Sequence, residues 1–141
     1  MSKPIPPKIG QPTTEELYLI REEILLPGIL DTLQSQYEAM ERSFQPLKEL
    51  YLKAIQLVIN LVTEERRGVR QQLRESKIRT WDGKMENEAI YINYNCRGYD
   101  GDFFVTTDHG RSEIRVRIGK YIQEAFTPLR ERVGPDLTHR A

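Results

Sequence analysis

The sequence predicts an α+β fold with two long N-terminal helices, a small antiparallel β-hairpin and a C-terminal helix. Three observations predict it. Apolar residues recur at three- and four-residue steps through the first half of the chain, as they do along one face of a helix. From Ala89 to Cys96 apolar and polar residues alternate, as they do along a strand with one buried face. A further helical pattern follows the glycine-rich segment after that strand.

The domain organisation follows from the length and the composition. The chain has 141 residues, of which 38% are hydrophobic, and this suits one domain with a modest core. We expect that domain at residues 13–126, with a helical part at 13–77 and a strand–strand–helix part at 78–126. An extended, proline-rich arm at 1–12 precedes it, and a tail at 127–141 follows it.

The charge and the cysteine content restrict the partners. Lysine plus arginine and aspartate plus glutamate each number 21, so nucleic-acid binding is disfavoured unless a local basic patch exists. A single cysteine excludes a disulfide within the chain. With only two histidines besides it, we expect no metal and no cofactor. No apolar run approaches the roughly 20 residues that cross a bilayer, and the N-terminus lacks a signal-peptide core. We expect a cytoplasmic protein without a membrane partner.

The first helix has a clear start and an interruption. Thr13-x-x-Glu16 fits a capping box, which predicts a helix from Thr14 to about Ser43. Pro27-Gly28 predicts a kink, or a break into two helices.

The second helix is predicted from Pro46 to about Lys77, and its first half is apolar over about twice the arc that packing on one neighbour needs. We therefore expect self-association through this helix, as a dimer or a higher homo-oligomer. The alternative is that the first and last helices cover it completely. Its second half carries four arginines, which a solvated helix end explains, although one of them is also suited to contact a ligand: Arg66, Arg67, Arg70 and Arg74.

A loop with a turn at Asp82-Gly83 is predicted over residues 78–88. It contains Trp81, which is either a plug on the core or a stacking platform. In the strand that follows, the predicted core face consists of Ile90, Ile92, Tyr94 and Cys96. Asn93 and Asn95 lie on the opposite face, together with Tyr91. Such a row suits a nucleobase or a ribose, and the alternative is an ordinary solvent-facing side of a hairpin.

The last helix is predicted to begin at Asp108, as its N-cap, and to end near Phe126. A rotation of about 100° per residue places Arg111 inside the apolar arc, Arg115 at its border and Arg117 on the opposite face. The arc consists of Ile114, Ile118, Tyr121, Ile122 and Ala125. An inward arginine needs an anionic partner, and the free N–H groups of the helix start suit phosphate. One alternative is an ion pair with a carboxylate of this chain, for which the candidates are Glu88, Asp100 and Asp102. Another is a salt bridge across a dimer.

Catalytic motifs are absent from the sequence. There is no Walker-type loop, no GxGxxG after a strand, no HExxH and no opposed pair of carboxylates. Cys96 lies on the predicted core face, where an inert thiol is expected. The sequence therefore predicts a binding protein rather than an enzyme.

The layout of residues 66–118 resembles the small phage proteins that block the Thoeris defence by sequestering its cyclic ADP-ribose signal. Those proteins combine an arginine of a long helix, a loop aromatic, a strand asparagine and two arginines four residues apart on the last helix. The resemblance assigns these roles to Arg70, Trp81, Asn93 or Asn95, and Arg111 with Arg115. It implies a homo-oligomer that binds a cyclic nucleotide, or another phosphate-bearing small molecule, without turnover. The phosphates would lie on Arg111 and Arg115, and the adenine on Trp81.

Two other functions compete with this one. A helical protein-interaction module of phage or mobile-element origin would explain the apolar second helix. Nucleic-acid binding through the arginine-rich segment at 65–80 is the third hypothesis, and the zero net charge disfavours it.

Overall fold

The structure, a computed structural model, describes the backbone of residues 10–133 and the side chains of residues 10–126. The three strands form one antiparallel sheet in the order β1-β2-β3. The predicted α+β class is confirmed. The elements, in chain order, are α1 (Thr14–Glu41), α2 (Lys48–Glu75), β1 (Ile78–Glu86), β2 (Ala89–Cys96), β3 (Tyr99–Thr106) and α3 (Thr107–Val133).

The sheet has one strand more than predicted. The loop expected at 78–88 is wrong, because β1 pairs with β2 from Ile78 opposite Cys96 to Glu86 opposite Ala89. A register shift between Asp82 and Met85 interrupts its alternation. This strand lies at the edge of the sheet and is mostly exposed, and edge strands commonly carry charged residues instead of a clear apolar pattern.

The ends of the chain are described only in part. Residues 1–9 of the predicted arm and residues 134–141 of the predicted tail lie outside the described residues. Helix α3 continues to Val133, so the expected helix end near Phe126 is wrong. No described helix is long and apolar enough to cross a membrane.

Helix α1 begins as predicted and is not divided. The amide of Glu16 donates to Thr13 Oγ1 at 3.2 Å, and the amide of Thr13 donates to Glu16 Oε1 at 3.0 Å, so the capping box is confirmed. The helix continues through Pro27. At Gly28 a Cβ atom would lie 2.9 Å from Ile114 Cδ1. The glycine therefore permits the close packing of α3 against α1.

An ion pair joins the start of α1 to the turn between β2 and β3. Arg97 donates to the two carboxylate oxygens of Glu16 at 2.8 and 2.9 Å, and to the carbonyl oxygen of Ser76 at 2.9 Å. The hydrogen bond from Arg97 lowers the pKa of the Glu16 carboxyl from 4.5 to about 2. The charged pair thus fixes the sheet against the end of α2 and the first turn of α1.

The helices cover one face of the sheet and leave the other open. Ile92, Tyr94 and Cys96 of β2 are buried, as predicted, and they join apolar residues of all three helices in the core. Because strand residues alternate between faces, Asn93 and Asn95 lie on the outer face, away from the helices. The core residues of the helices include Ile20, Leu26, Ile29, Leu33, Val58, Val62, Val69, Leu73 and Tyr121.

The first half of α2 is only partly covered by the other described residues. Leu50 is 59% exposed and Leu57 is 43% exposed, and Phe44 in the turn before the helix is fully exposed. The alternative that α1 and α3 cover this half completely is therefore wrong.

Candidate anion-binding cleft

The start of α3 does not form the predicted inward-facing pair of arginines. Helix α3 begins at Thr107, and Thr106 Oγ1 accepts from the amide of His109 at 3.2 Å, so the predicted N-cap at Asp108 is wrong. Arg111 and Arg115 are both exposed. Neither makes an ion pair or a hydrogen bond with any described residue, so the predicted inward orientation is wrong, as is the alternative pairing with a carboxylate of the described chain.

The apolar arc predicted for α3 is confirmed in part. Tyr121 lies in the core, Ile114, Ile118 and Ala125 pack against it, and Ile122 is 44% exposed. Gly110 and Arg117 also lie on the buried side of the helix. An arginine does face the core, but it is Arg117, which the helical wheel placed toward solvent. The carboxylates that pair with it belong to Glu22 and Glu65, and the sequence pattern of α3 alone does not indicate them.

Arg117 is held by groups from all three helices. It donates to the two carboxylate oxygens of Glu22 at 2.8 and 3.0 Å, to Glu65 Oε1 at 3.1 Å and to the Tyr121 hydroxyl at 3.1 Å. The Tyr121 hydroxyl donates to the other oxygen of Glu65. Burial alone would lower the pKa of Arg117, but these hydrogen bonds raise it above its ordinary value. Burial and the bond to Glu65 raise the pKa of Tyr121 to about 12.

This network is structural, because protein carboxylates already satisfy the arginine. Only 12% of the Arg117 side chain and 6% of the Glu22 side chain are exposed, and both carboxylate oxygens of Glu22 already accept hydrogen bonds from Arg117.

A cleft of about 690 Å³ lies between the second half of α2, the edge strand β1 and one wall of α1. Residues four apart on a helix lie on one face, so the arginines of α2 project together. Strand β1 adds one more directly after the turn that follows α2. The cleft is thus lined by five arginines, which are Arg66, Arg67, Arg70, Arg74 and Arg79.

The cleft carries a local excess of positive charge. Its only acidic lining residue among those described is Glu23, whose Oε2 lies 3.7 Å from Arg70 Nε. Arg67 is paired with Glu64 at 2.8 Å. The other three arginines make no ion pair with a described residue; these are Arg66, Arg74 and Arg79. A chain of zero net charge therefore has a concentrated cationic site.

Two buried polar atoms of this cleft have no hydrogen-bond partner among the described residues. They are the Oε1 atom of Glu23 and the Nε atom of Arg66. Buried polar groups in folded proteins are nearly always hydrogen-bonded. The cleft thus contains one unused acceptor and one unused donor, which distinguishes it from an ordinary solvated helix end.

The residues predicted for one pocket lie on three surfaces. Arg70 lines the cleft. Trp81 lies opposite Asn93 on the outer face of the sheet and is 49% exposed, so it is not a plug on the core. The start of α3 carries Arg111 and Arg115, and the helices lie on the other side of the sheet from the asparagines.

The side chain of Asn95 is hydrogen-bonded within the β2–β3 turn, whereas that of Asn93 lines a hollow. Asn95 is used by the turn, since it donates to Asp100 Oδ1 at 2.7 Å and accepts from the amide of Gly98 at 3.3 Å. Asn93 lines a smaller hollow of about 320 Å³ on the outer face, with Tyr91 and Asp102.

One residue links the cleft to the outer face of the sheet. Arg79 lines the cleft and lies opposite Asn95 in the sheet, two residues before Trp81. Residues two apart on a strand lie on the same face, so Arg79 belongs both to the cleft and to the sheet face that carries the exposed Trp81.

Other chemistry receives little support from the described residues. They include no group of three histidine, cysteine, aspartate or glutamate side chains that could hold a metal ion. Cys96 is buried, and burial raises the pKa of its thiol. Besides its arginines and its one carboxylate, the cleft presents the hydroxyls of Thr63 and Thr80.

The sequence model of the YhjD protein family matches residues 11–126, and the chain belongs to that family. The matched segment contains every residue that lines the cleft. Comparison with curated proteins gave no match, and comparison with solved structures gave none either.

Proposed function

We propose that this member of the YhjD protein family binds a phosphate-bearing small molecule in the arginine cleft. One observation carries the proposal: five arginines and a single carboxylate line the same cleft, and three of those arginines have no ion pair in the described chain. Guanidinium groups bind phosphate oxygens in pairs and keep their charge when desolvated. The volume of about 690 Å³ lies within the usual range for small-molecule sites.

The ligand is bound and released unchanged in this proposal. The cleft supplies charge and hydrogen bonds, and the sequence has no catalytic motif that would act on a bound phosphate. The narrower function is sequestration of a cyclic nucleotide signal of the cyclic ADP-ribose type in the host cytoplasm, which would block antiphage signalling. Its support is the resemblance of residues 66–118 to the phage proteins that block the Thoeris defence. Arg70 in the cleft and the exposed Trp81, two residues after Arg79, add to it.

The proposal is tested by isothermal titration calorimetry of the full chain with pyrophosphate, ADP, cyclic ADP-ribose and single-stranded oligonucleotides of two lengths. We expect saturable binding of pyrophosphate and ADP that weakens as salt is raised, with ADP recovered intact. No binding of any of these at millimolar concentration overturns the proposal. An affinity that rises with oligonucleotide length replaces it with nucleic-acid binding. Cyclic ADP-ribose that binds no tighter than ADP contradicts the narrower function.

A second function is favoured by the exposed first half of α2. Its apolar residues recur at the alternating three- and four-residue steps of a coiled-coil seam, which packs against another helix. We propose that the chain forms a homo-oligomer, or binds a helical protein, through this stripe. The stripe consists of Leu47, Leu50, Ala54, Leu57 and Leu61.

Replacing Leu50 and Leu57 together with glutamate is expected to convert the oligomer to a monomer. Charge is excluded from such a seam, and both side chains are exposed in one chain, so the monomer should fold. Sedimentation velocity measures the change in mass, and circular dichroism verifies the fold. The matched control replaces Val116 and Ile122 of α3, which are similarly exposed, with glutamate. It should leave the mass of the oligomer unchanged. A wild-type chain that is monomeric at about 100 μM contradicts self-association through a specific interface.

A further inference from the structure

We propose that Glu23 accepts a hydrogen bond from a ribose hydroxyl of the ligand, so that the cleft selects a phosphorylated ribonucleoside over a simple polyphosphate. This inference rests on the proposed function, because it concerns the ligand of the same cleft. It assigns a specificity-determining role to a residue of α1, on the wall that faces the arginines of α2.

The first step concerns the position of the carboxylate. Only 8% of the Glu23 side chain is exposed, although it lines an open cleft. Its Oε2 atom lies 3.7 Å from Arg70 Nε, which is an ion pair but too long for a hydrogen bond. Its Oε1 atom is buried and has no hydrogen-bond partner among the described residues. One carboxylate oxygen at the inner wall of the site is thus left without a hydrogen bond among the described residues.

The second step concerns the chemistry that this oxygen selects. A carboxylate only accepts hydrogen bonds, and at neutral pH it repels a phosphate group. A site for a bare polyanion would gain from the loss of Glu23, whereas a site for a molecule with hydroxyl donors uses it. Acidic side chains bind ribose hydroxyls in this manner in dinucleotide sites. The carboxylate therefore points to a ligand that carries both phosphates and donors.

The third step concerns the rest of such a ligand. Arg66, Arg70 and Arg74 project from α2 along one wall, where they suit the phosphates. The opposite wall presents Glu23 together with the apolar Leu30. A ribose beside the Arg70–Glu23 ion pair would present its hydroxyls to the carboxylate, while its phosphates contact Arg66 and Arg74. Beyond Arg79, the exposed Trp81 is placed to stack on a base.

The test compares ADP with 2′,3′-dideoxy-ADP, which lacks only the two ribose hydroxyls, and with pyrophosphate, which lacks the nucleoside. Calorimetry of the wild-type chain should show ADP binding at least about tenfold tighter than the dideoxy compound, as expected for a hydrogen bond to a charged group. In Glu23→Ala the two nucleotides should bind within about twofold of each other. In the same variant pyrophosphate should bind more tightly than in the wild type, because a negative charge has left the cleft.

The conservative variant Glu23→Gln guards against a merely structural effect. Its amide oxygen still accepts a hydrogen bond, so it should keep part of the preference for ADP over the dideoxy compound. Equal affinities of ADP and 2′,3′-dideoxy-ADP for the wild-type chain overturn the inference, and an unchanged preference in Glu23→Ala also overturns it. In either case the proposed function stands if pyrophosphate still binds. Binding of neither ADP nor pyrophosphate by the wild-type chain defeats the proposed function itself, so the two failures are distinguishable.

Discussion

Replacing Arg117 with methionine is expected to lower the free energy of unfolding by about 3–5 kcal/mol, the range observed when one partner of a buried ion pair is removed. The arginine makes hydrogen bonds to Glu22, Glu65 and Tyr121, and only 12% of its side chain is exposed. Without it, the Glu22 carboxylate stays buried beside no cation. Urea denaturation followed by circular dichroism measures the loss.

Two further variants show whether the loss arises from the unpaired carboxylate. Arg115→Met is the matched control, because Arg115 is exposed two residues earlier and makes no ion pair with a described residue. It should change stability by no more than about 0.5 kcal/mol. Adding Glu22→Gln to Arg117→Met should restore part of the loss, since the buried charge is then gone. A similar stability for Arg117→Met and Arg115→Met would show that the network contributes nothing measurable.

Replacing Arg66 and Arg74 together with glutamine is expected to weaken the binding of ADP and pyrophosphate by about 100-fold or more, since each charge-assisted hydrogen bond contributes about 1.5–3 kcal/mol. These two arginines are chosen because neither pairs with a carboxylate of the described chain, so their loss leaves no protein charge unpaired. Calorimetry at one fixed salt concentration measures the change in affinity.

The control for that variant removes the same charge elsewhere. Arg111→Gln together with Arg115→Gln changes the net charge equally, but on the exposed start of α3. It should alter the affinity by less than about threefold, as expected for distant charges screened by salt. A small loss of affinity in the cleft variant together with a large loss in the α3 variant would contradict binding in the cleft. It would place the binding site at Arg111 and Arg115 instead.

Local patterns were predictable from the sequence. The Thr13–Glu16 capping box involves neighbours in the chain, and its residues alone predict it. The alternation of β2 identified Ile92, Tyr94 and Cys96 as the core face, because β2 is the central strand with one covered side. Strand β1 escaped prediction because an edge strand buries few residues and needs no apolar alternation.

Interactions between distant segments were not predictable. The helical wheel of α3 placed Arg111 inward and Arg117 outward, whereas the carboxylate that holds Arg117 toward the core belongs to Glu22, 95 residues away in the chain. The arginines of α2 were recognised as a cluster and explained as a solvated helix end. A cleft exists because β1 adds Arg79 and α1 adds Glu23, and no pattern within one segment indicates that meeting.

The position of the bound anion is measured by titrating isotope-labelled protein with pyrophosphate and following the arginine Nε–H and backbone amide resonances by NMR. Binding in the cleft predicts the largest shifts at the side chains of Arg66, Arg70 and Arg79 and at the backbone of residues 78–80. The resonances of Arg111 and Arg115 should then stay in place. Shifts confined to the start of α3, or no shifts at saturating pyrophosphate, would contradict an anion site in the cleft.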